Sequence, residues 1–160
     1  MFRSGEFISQ YITPKGNEEL DNEQIQPNGV DLKIGSIKKA SGKALLKDDR
    51  YNKGEYIQKI PNEDGLYVLD KGFYRVIYDE IIEIPENHIG LVYPRSRLMR
   101  SGGNLRTAVW DSGYIGKGEG GLAIDRKMRV EDGMKIGQMV MCRTEELEES
   151  YDGTHQGENL

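Results

Sequence analysis

The stretch "GLYVLDKGFYRVIYDEIIEIPENHIGLVYPRS", Gly65 to Ser96, decides how the fold is read. Apolar and polar residues alternate along it in short runs, the period of a half-buried strand. The turn-forming clusters "DKG" and "PENHIG" punctuate the runs. Downstream, "KIGQMVMCR" follows the turn "EDG" and reads as another strand. Helical periodicity is almost absent elsewhere. The expectation is an all-β architecture, a distorted barrel or jelly roll, with one short helix. That helix is expected over Ser96–Arg100, with Ser96 as its cap and Gly102 as its end. Residues 10–28 are polar and read as loop.

The chain has 160 residues, which suits one domain. Hydrophobic residues make up 36% and charged residues 31%, so the core is lean and the surface well solvated. The formal charge of -5 argues against a nucleic-acid coat, which needs a basic face. It leaves room for a small polyanion held by a few local arginines. No apolar run approaches the ~20 residues of a membrane span. The N-terminal stretch "MFRSGEFISQYITPKG" shows no signal-peptide h-region. With one cysteine, Cys142, no disulfide forms within the chain, and the expected location is the cytoplasm. Cys142, His88 and His155 are too few and too scattered for a structural zinc site. They also exclude the zinc-dependent nucleobase deaminases.

Several constellations carry candidate chemistry, each beside a plainer reading. Arg95, Ser96, Arg97 and Arg100 offer guanidinium forks and a hydroxyl to phosphate oxygens, or form a solvated basic turn. Asp111 to Gly116, Asp-x-Gly-Tyr-x-Gly, reads as a hairpin turn. Asp111 there is a catalytic carboxylate or merely a turn former, and Tyr114 a ligand contact or a core aromatic. Asp31 sits in an apolar alternation, where a charge needs a partner: a hydrated Mg²⁺ or an arginine. Gln138 reaches a ligand or completes a core hydrogen bond. The tail "YDGTHQGENL" reads by composition as a frayed terminus.

Together these pieces resemble the family that unites trimeric deoxyuridine triphosphatases with the zinc-free dCTP deaminases. "PNGVDLKIG", "PRSRLMRSG", "TAVWDSGYIG", "IGQMVM" and "YDGTHQGENL" look like its five motifs, in order and over most of the chain. The chain is most like the archaeal-type trimeric dUTP diphosphatases. The resemblance implies a dUTPase-like β domain over residues 1–150. It also implies a mobile C-terminal arm, 151–160, that closes over the active site. The implied reaction is hydrolysis of dUTP to dUMP and pyrophosphate. Asp111 and Ser96 would be the catalytic residues, with Asp111 taking a proton from the attacking water. Arg95, Ser96 and Arg100 would hold phosphates, joined by Gln138. Tyr114 would pack under the deoxyribose. Backbone groups of Thr107, Ala108, Val109, Trp110 and Asp111 would read the uracil edge. Tyr151 or His155 would lie against the base, and Gln156 near the phosphates. Asp31 would orient waters of a bridging Mg²⁺. The partners implied are dUTP and two further copies in a homotrimer with sites between subunits, without nucleic acid or membrane.

Arg97 stands where the family has serine or glycine, and either adds a phosphate contact or points to a subunit interface. Thr154 and His155 stand where lysine and tyrosine are common. The deaminases resemble one another in a glutamate on the strand after D-x-G-[YFW]-x-G. Allowing a two-residue extension in "KGEGG", that position falls on Ala123, which cannot shuttle a proton. Glu119 is the nearby carboxylate. The alternatives are therefore a dCTP deaminase or bifunctional enzyme, and a nucleotide-binding regulator without turnover.

Overall fold

A computed structural model describes residues 1–17, 19–146 and 150–160. Its largest sheet has eight strands. Six run in the order His88–Pro94, Lys135–Arg143, Gly29–Ser41, Gly72–Tyr78, Glu119–Ile124, Gly103–Arg106, each antiparallel to its neighbours. Ile25–Gln26 and Glu55–Gln58 add to the long Gly29–Ser41 strand. The first and last strands of this order come back toward each other: Thr107 Oγ1, just past Gly103–Arg106, donates to the Val92 carbonyl at 3.3 Å. The sheet is thus a nearly closed barrel, which leaves little free strand edge.

The alternation in the opening stretch becomes inside and outside. Tyr74, Val76 and Tyr78 are buried from the Gly72–Tyr78 strand, with Leu32, Ile34 and Ile37 from its neighbour. Two register shifts, at Gly35 and at Ile136, bend the long strand and its partner Lys135–Arg143. The runs flanking "DKG" do not form a hairpin. Leu66–Leu69 pairs instead with Met128–Glu131. Ile81–Glu83 likewise leaves the large sheet and joins Ile12–Thr13 and Ile115–Gly116. Turn chemistry marks where a strand ends, whereas partner choice depends on which apolar faces meet.

Among the described residues two short α-helices occur rather than one. Ser96–Arg100 is helical as expected, but Ser96 is its first residue and not its cap. Arg95 holds the extended cap position and makes no side-chain capping bond. Gly102 follows with φ +86°, its N–H bonded to the Met99 carbonyl, so the stop signal is as expected. The second helix, Gly5–Ser9, has a capping signal in the sequence: the Ser4 hydroxyl accepts from the Phe7 N–H at 3.3 Å. Its single turn buries Ile8 against the sheet. Residues 10–28 are not simply loop, since they hold Ile12–Thr13, Ile25–Gln26 and 3-10 turns at Lys15–Asn17 and Asn22–Gln24.

Candidate active site

Asp31, Gln138 and Tyr93 stand opposite one another on three adjacent strands, so their side chains leave the same face. One residue on, the partners Val30, Met139 and Val92 turn into the core. The strand carrying Tyr93 ends at Pro94, and Arg95 opens the short helix. Arg95 N–H donates to the Ile136 carbonyl at 2.8 Å, which ties the helix entry to the neighbouring strand. The Arg95 guanidinium pairs with the Asp31 carboxylate. Asp31 is 1% exposed and Arg95 30%, so the arginine bridges a buried charge to the surface. Burial pushes the Asp31 carboxyl above its ordinary range, against the opposing pull of Arg95 and Lys135. Its Oδ1 is buried with no hydrogen-bond partner among the described residues.

Within the helix only Leu98 is buried. Ser96 and Arg100 are exposed and four residues apart, on one helix face. Arg97 points elsewhere: with Arg95, Glu23, Met134 and Lys135 it lines an open cavity of ≈ 350 Å³.

The second half of the site forms around Trp110 to Gly116. Trp110 exchanges both backbone hydrogen bonds with Gly90, at 2.8 and 3.0 Å, while residues 107–109 run outside any strand. Among the described residues the backbones of Ala108 and Val109 make no hydrogen bond, so their donors and acceptors are open to a ligand edge. A tight turn follows: Tyr114 N–H donates to the Asp111 carbonyl at 3.2 Å and Gly113 takes φ +85°. The turn sends the Asp111 side chain outward and Tyr114 inward. Tyr114 meets Trp110 edge-on with ring centroids 5.2 Å apart.

Asp111 and Tyr114 line a cavity of ≈ 320 Å³ with Val109, Trp110, Glu119, Tyr151 and His155. The Asp111 carboxylate has no hydrogen bond or ion pair among the described residues. The tail seals one side of the cavity. Tyr151 N–H reaches the Ser112 carbonyl at 2.7 Å and Gly157 N–H the Ile115 carbonyl at 2.8 Å. Gln156 spends its amide on Gly113 and Ile115, at 3.0 Å each, away from the arginine cluster. Glu158 accepts from the Tyr114 hydroxyl at 3.0 Å and faces His155 Nδ1 at 3.1 Å. Burial, reinforced by Glu158, pushes the Tyr114 hydroxyl far above its ordinary pKa, so it stays a neutral donor.

The predicted residues that line a cavity fall into two groups, while Asp31, Ser96, Arg100, Thr107, Gln138 and Gln156 line neither cavity. Asp111, Tyr114, Ala108, Val109, Trp110, Tyr151 and His155 share one cavity. Arg95 and Arg97 line another, and among the described residues the two cavities have no lining residue in common. Sequence reasoning missed Glu158 and undervalued Glu119. Glu119 lines the Asp111 cavity and is held by Arg75 and by Asn159 Nδ2 at 3.2 Å. Ala123, four pairs along the same strand, sits between Phe73 and Asn104 instead. Two glycines could have flagged the packing, one in the motif and one just after it: a Cβ at Gly116 would strike the Tyr114 hydroxyl, and one at Gly118 the Trp110 ring.

Comparison with known proteins gives the family of the chain. The model of the dCTP deaminase-like family covers residues 2–144. A probable deoxyuridine 5'-triphosphate nucleotidohydrolase of Aeropyrum pernix is 39% identical over an alignment of 165 residues, covering 100% of both chains. A protein of the same name from Halobacterium salinarum is 35% identical, over 99% of this chain and 95% of its own. Among solved structures, the 2'-deoxycytidine 5'-triphosphate deaminase of Agrobacterium tumefaciens superposes with a TM-score of 0.63 at 19% identity. That match covers 88% of this chain and 47% of the deaminase, and it shows the shared fold. The chain belongs to the dCTP deaminase-like family.

Proposed function

We propose that the protein is a dUTP diphosphatase, hydrolysing dUTP to dUMP and pyrophosphate. The observation that carries this reading is the unpaired Asp111 carboxylate at the mouth of a cavity floored by Tyr114 and Trp110. Water held there loses a proton to Asp111 as it attacks the α-phosphorus, and the α–β bridging oxygen leaves with pyrophosphate. Such transfer needs positioning and charge neutralisation more than covalent chemistry. Arg95, Ser96 and Arg100 supply the positive and donor groups, with Gln138 beside them. The open Ala108 and Val109 backbone groups suit a uracil edge and mismatch cytosine. Relatives that match this chain end to end carry the nucleotidohydrolase name, which supports the same assignment.

The division into two cavities favours an assembly. One chain offers Asp111 on one surface and the arginines on another, so a complete site takes its halves from different copies. A homotrimer with sites between subunits accounts for this. Among the described residues no three His, Cys, Asp or Glu side chains gather to hold a metal. Mg²⁺ nonetheless fits: Asp31 Oδ1 lacks a partner while Oδ2 is taken by Arg95, leaving one oxygen for a metal-bound water. The ion would be held mainly by phosphate oxygens and would neutralise them. No helix among the described residues is long and apolar enough to cross a membrane, and the reading places the enzyme in the cytoplasm.

A second reading, deamination of dCTP, draws on Glu119, the carboxylate that shares the Asp111 cavity. Incubation with Mg²⁺ and either nucleotide, with products separated by chromatography, decides between them. Formation of dUMP and pyrophosphate from dUTP alone is expected, and dCTP consumed to dUTP or dUMP would favour the deaminase. Asp111→Asn is expected to abolish hydrolysis, and unchanged turnover in that variant would remove the mechanism.

A further inference from the structure

Asp31 holds Arg95, and the question is what holds Asp31. On one edge of the Gly29–Ser41 strand, residues 30–33 pair with Lys135–Arg143. On the other edge the pairing is interrupted. Ile25–Gln26 covers Gly29 and Val30, and Gly72–Tyr78 begins only at Ile34. Between these two ladders the backbone of Asp31 to Lys33 has no strand neighbour on that side, and unpaired backbone groups cannot stay buried.

The Asp79 N–H donates to the Lys33 carbonyl at 3.1 Å, and two buried side chains fill the rest of the gap. Glu80, 1% exposed, accepts from Lys33 N–H with both oxygens, at 3.1 and 3.0 Å. Gln24, also 1% exposed, donates from Nε2 to Glu80 Oε1 at 2.7 Å and to the Asp31 carbonyl at 2.8 Å. Both hydrogens of the Gln24 amide are therefore spent, and each needs an oxygen opposite. The Asp31 carbonyl supplies one. A carboxylate at position 80 supplies the other and has no N–H to present by mistake. An amide at position 80 could set an NH₂ against the Gln24 NH₂, and Gln24 would then have to give up one of its two bonds. Glu80 lines neither cavity of the candidate site.

We propose that Glu80, acting through Gln24, is a positioning residue for phosphate binding: it fixes the Asp31 backbone so that the Asp31 carboxylate presents Arg95 to the triphosphate. The inference rests on the diphosphatase reading for its kinetic consequence, and on geometry alone for its effect on Arg95.

The experiment compares wild type with Glu80→Gln, Gln24→Met and Asp31→Asn, and with the Glu80→Gln/Asp31→Asn double variant. Steady-state kinetics with dUTP and Mg²⁺ are measured alongside the Arg95 guanidinium N–H resonance of the nucleotide-free protein. Glu80→Gln and Gln24→Met are each expected to raise KM for dUTP about tenfold, with kcat changed far less. Each is also expected to shift or broaden the Arg95 resonance without any ligand. In the Asp31→Asn background Glu80→Gln should add little further to KM, because both act through one residue. A Glu80→Gln effect on KM that persists in full without Asp31 would overturn the proposal. So would variants that lose thermal stability while KM and the Arg95 resonance stay in place. Should Glu80→Gln fail to fold, Gln24→Met carries the same two readouts. If wild type leaves dUTP untouched, the functional reading fails, while the Arg95 resonance still decides whether Glu80 and Gln24 position that side chain.

Discussion

The outer end of the Trp110 indole lies against Gly118, so close that a Cβ on Gly118 would stand 2.0 Å from the ring. The indole is buried, and it also walls the Asp111 cavity. A buried ring packed against Tyr78 and Tyr114 cannot swing aside like the end of a flexible chain. Gly118→Ala is therefore expected to cost about 1–3 kcal/mol through overpacking. Trp110 is the chain's one tryptophan, so intrinsic fluorescence reads this site directly. The expected outcome is a changed emission maximum together with weaker dUTP binding. Native emission and full activity in Gly118→Ala would refute the close packing.

The ion pair between Asp31 and Arg95 is asymmetric, and its two truncations should differ. Removing Arg95 strands a carboxylate that is 1% exposed and already has one oxygen without a partner. Removing Asp31 leaves a guanidinium that is 30% exposed and can hydrate. Arg95→Ala is expected to lower the unfolding free energy by about 3 kcal/mol, and Asp31→Ala by distinctly less. Chemical denaturation of both variants tests the order, and equal or reversed costs would contradict it.

The contrast between what the residue string reveals and what it conceals has a physical origin. Alternation in Gly65–Ser96 is visible because a strand with one wet face must alternate, and Tyr74, Val76 and Tyr78 do. Asp111, Tyr114 and the arginines are legible because turn chemistry and guanidinium forks are local properties. Gln24 and Glu80 are not. Gln24 lies in a polar run and Glu80 follows Asp79 at the end of a strand, and each is buried because the barrel closes on an interrupted strand edge. The pairing of Leu66–Leu69 with Met128–Glu131 is hidden for a related reason, since short strands carry too few side chains to name a partner 60 residues away. The docked tail bonds mostly to backbone carbonyls and amides, which no side-chain pattern announces.

Burial pushes Glu80 above its ordinary value of 4.5, even though Lys33 and Gln24 donate to it. Asp31 is raised in the same direction for the same chief reason. A carboxyl whose folded pKa exceeds its unfolded pKa binds a proton more readily when folded. Its contribution to stability is full below the unfolded value and is lost as pH rises through the folded value. The unfolding free energy of wild type should therefore fall, relative to Glu80→Gln, as pH is raised from about 4.5 toward neutrality. Denaturant titrations at a series of pH values measure this difference. A difference independent of pH would mean that Glu80 titrates alike in both states.

The C-terminal segment stabilises the site rather than the barrel. Its described bonds end on Ser112, Gly113, Tyr114, Ile115 and Lys117, on or just after the Asp111 turn, and on Glu119, the first residue of a barrel strand. None reaches the strands of the opposite half of the sheet. Ending the chain after Ser150 should therefore leave thermal unfolding nearly unchanged. It would, however, remove Tyr151 and His155 from the cavity wall and free the Tyr114 hydroxyl from Glu158. With the ligand less enclosed and Tyr114 less fixed, kcat/KM for dUTP is expected to fall about a hundredfold. Glu158→Gln, which keeps the shape but weakens the acceptor, should reproduce a small part of that loss. A truncated protein that melts far lower would assign the segment to the core, and one with unimpaired kcat/KM would separate it from the reaction altogether.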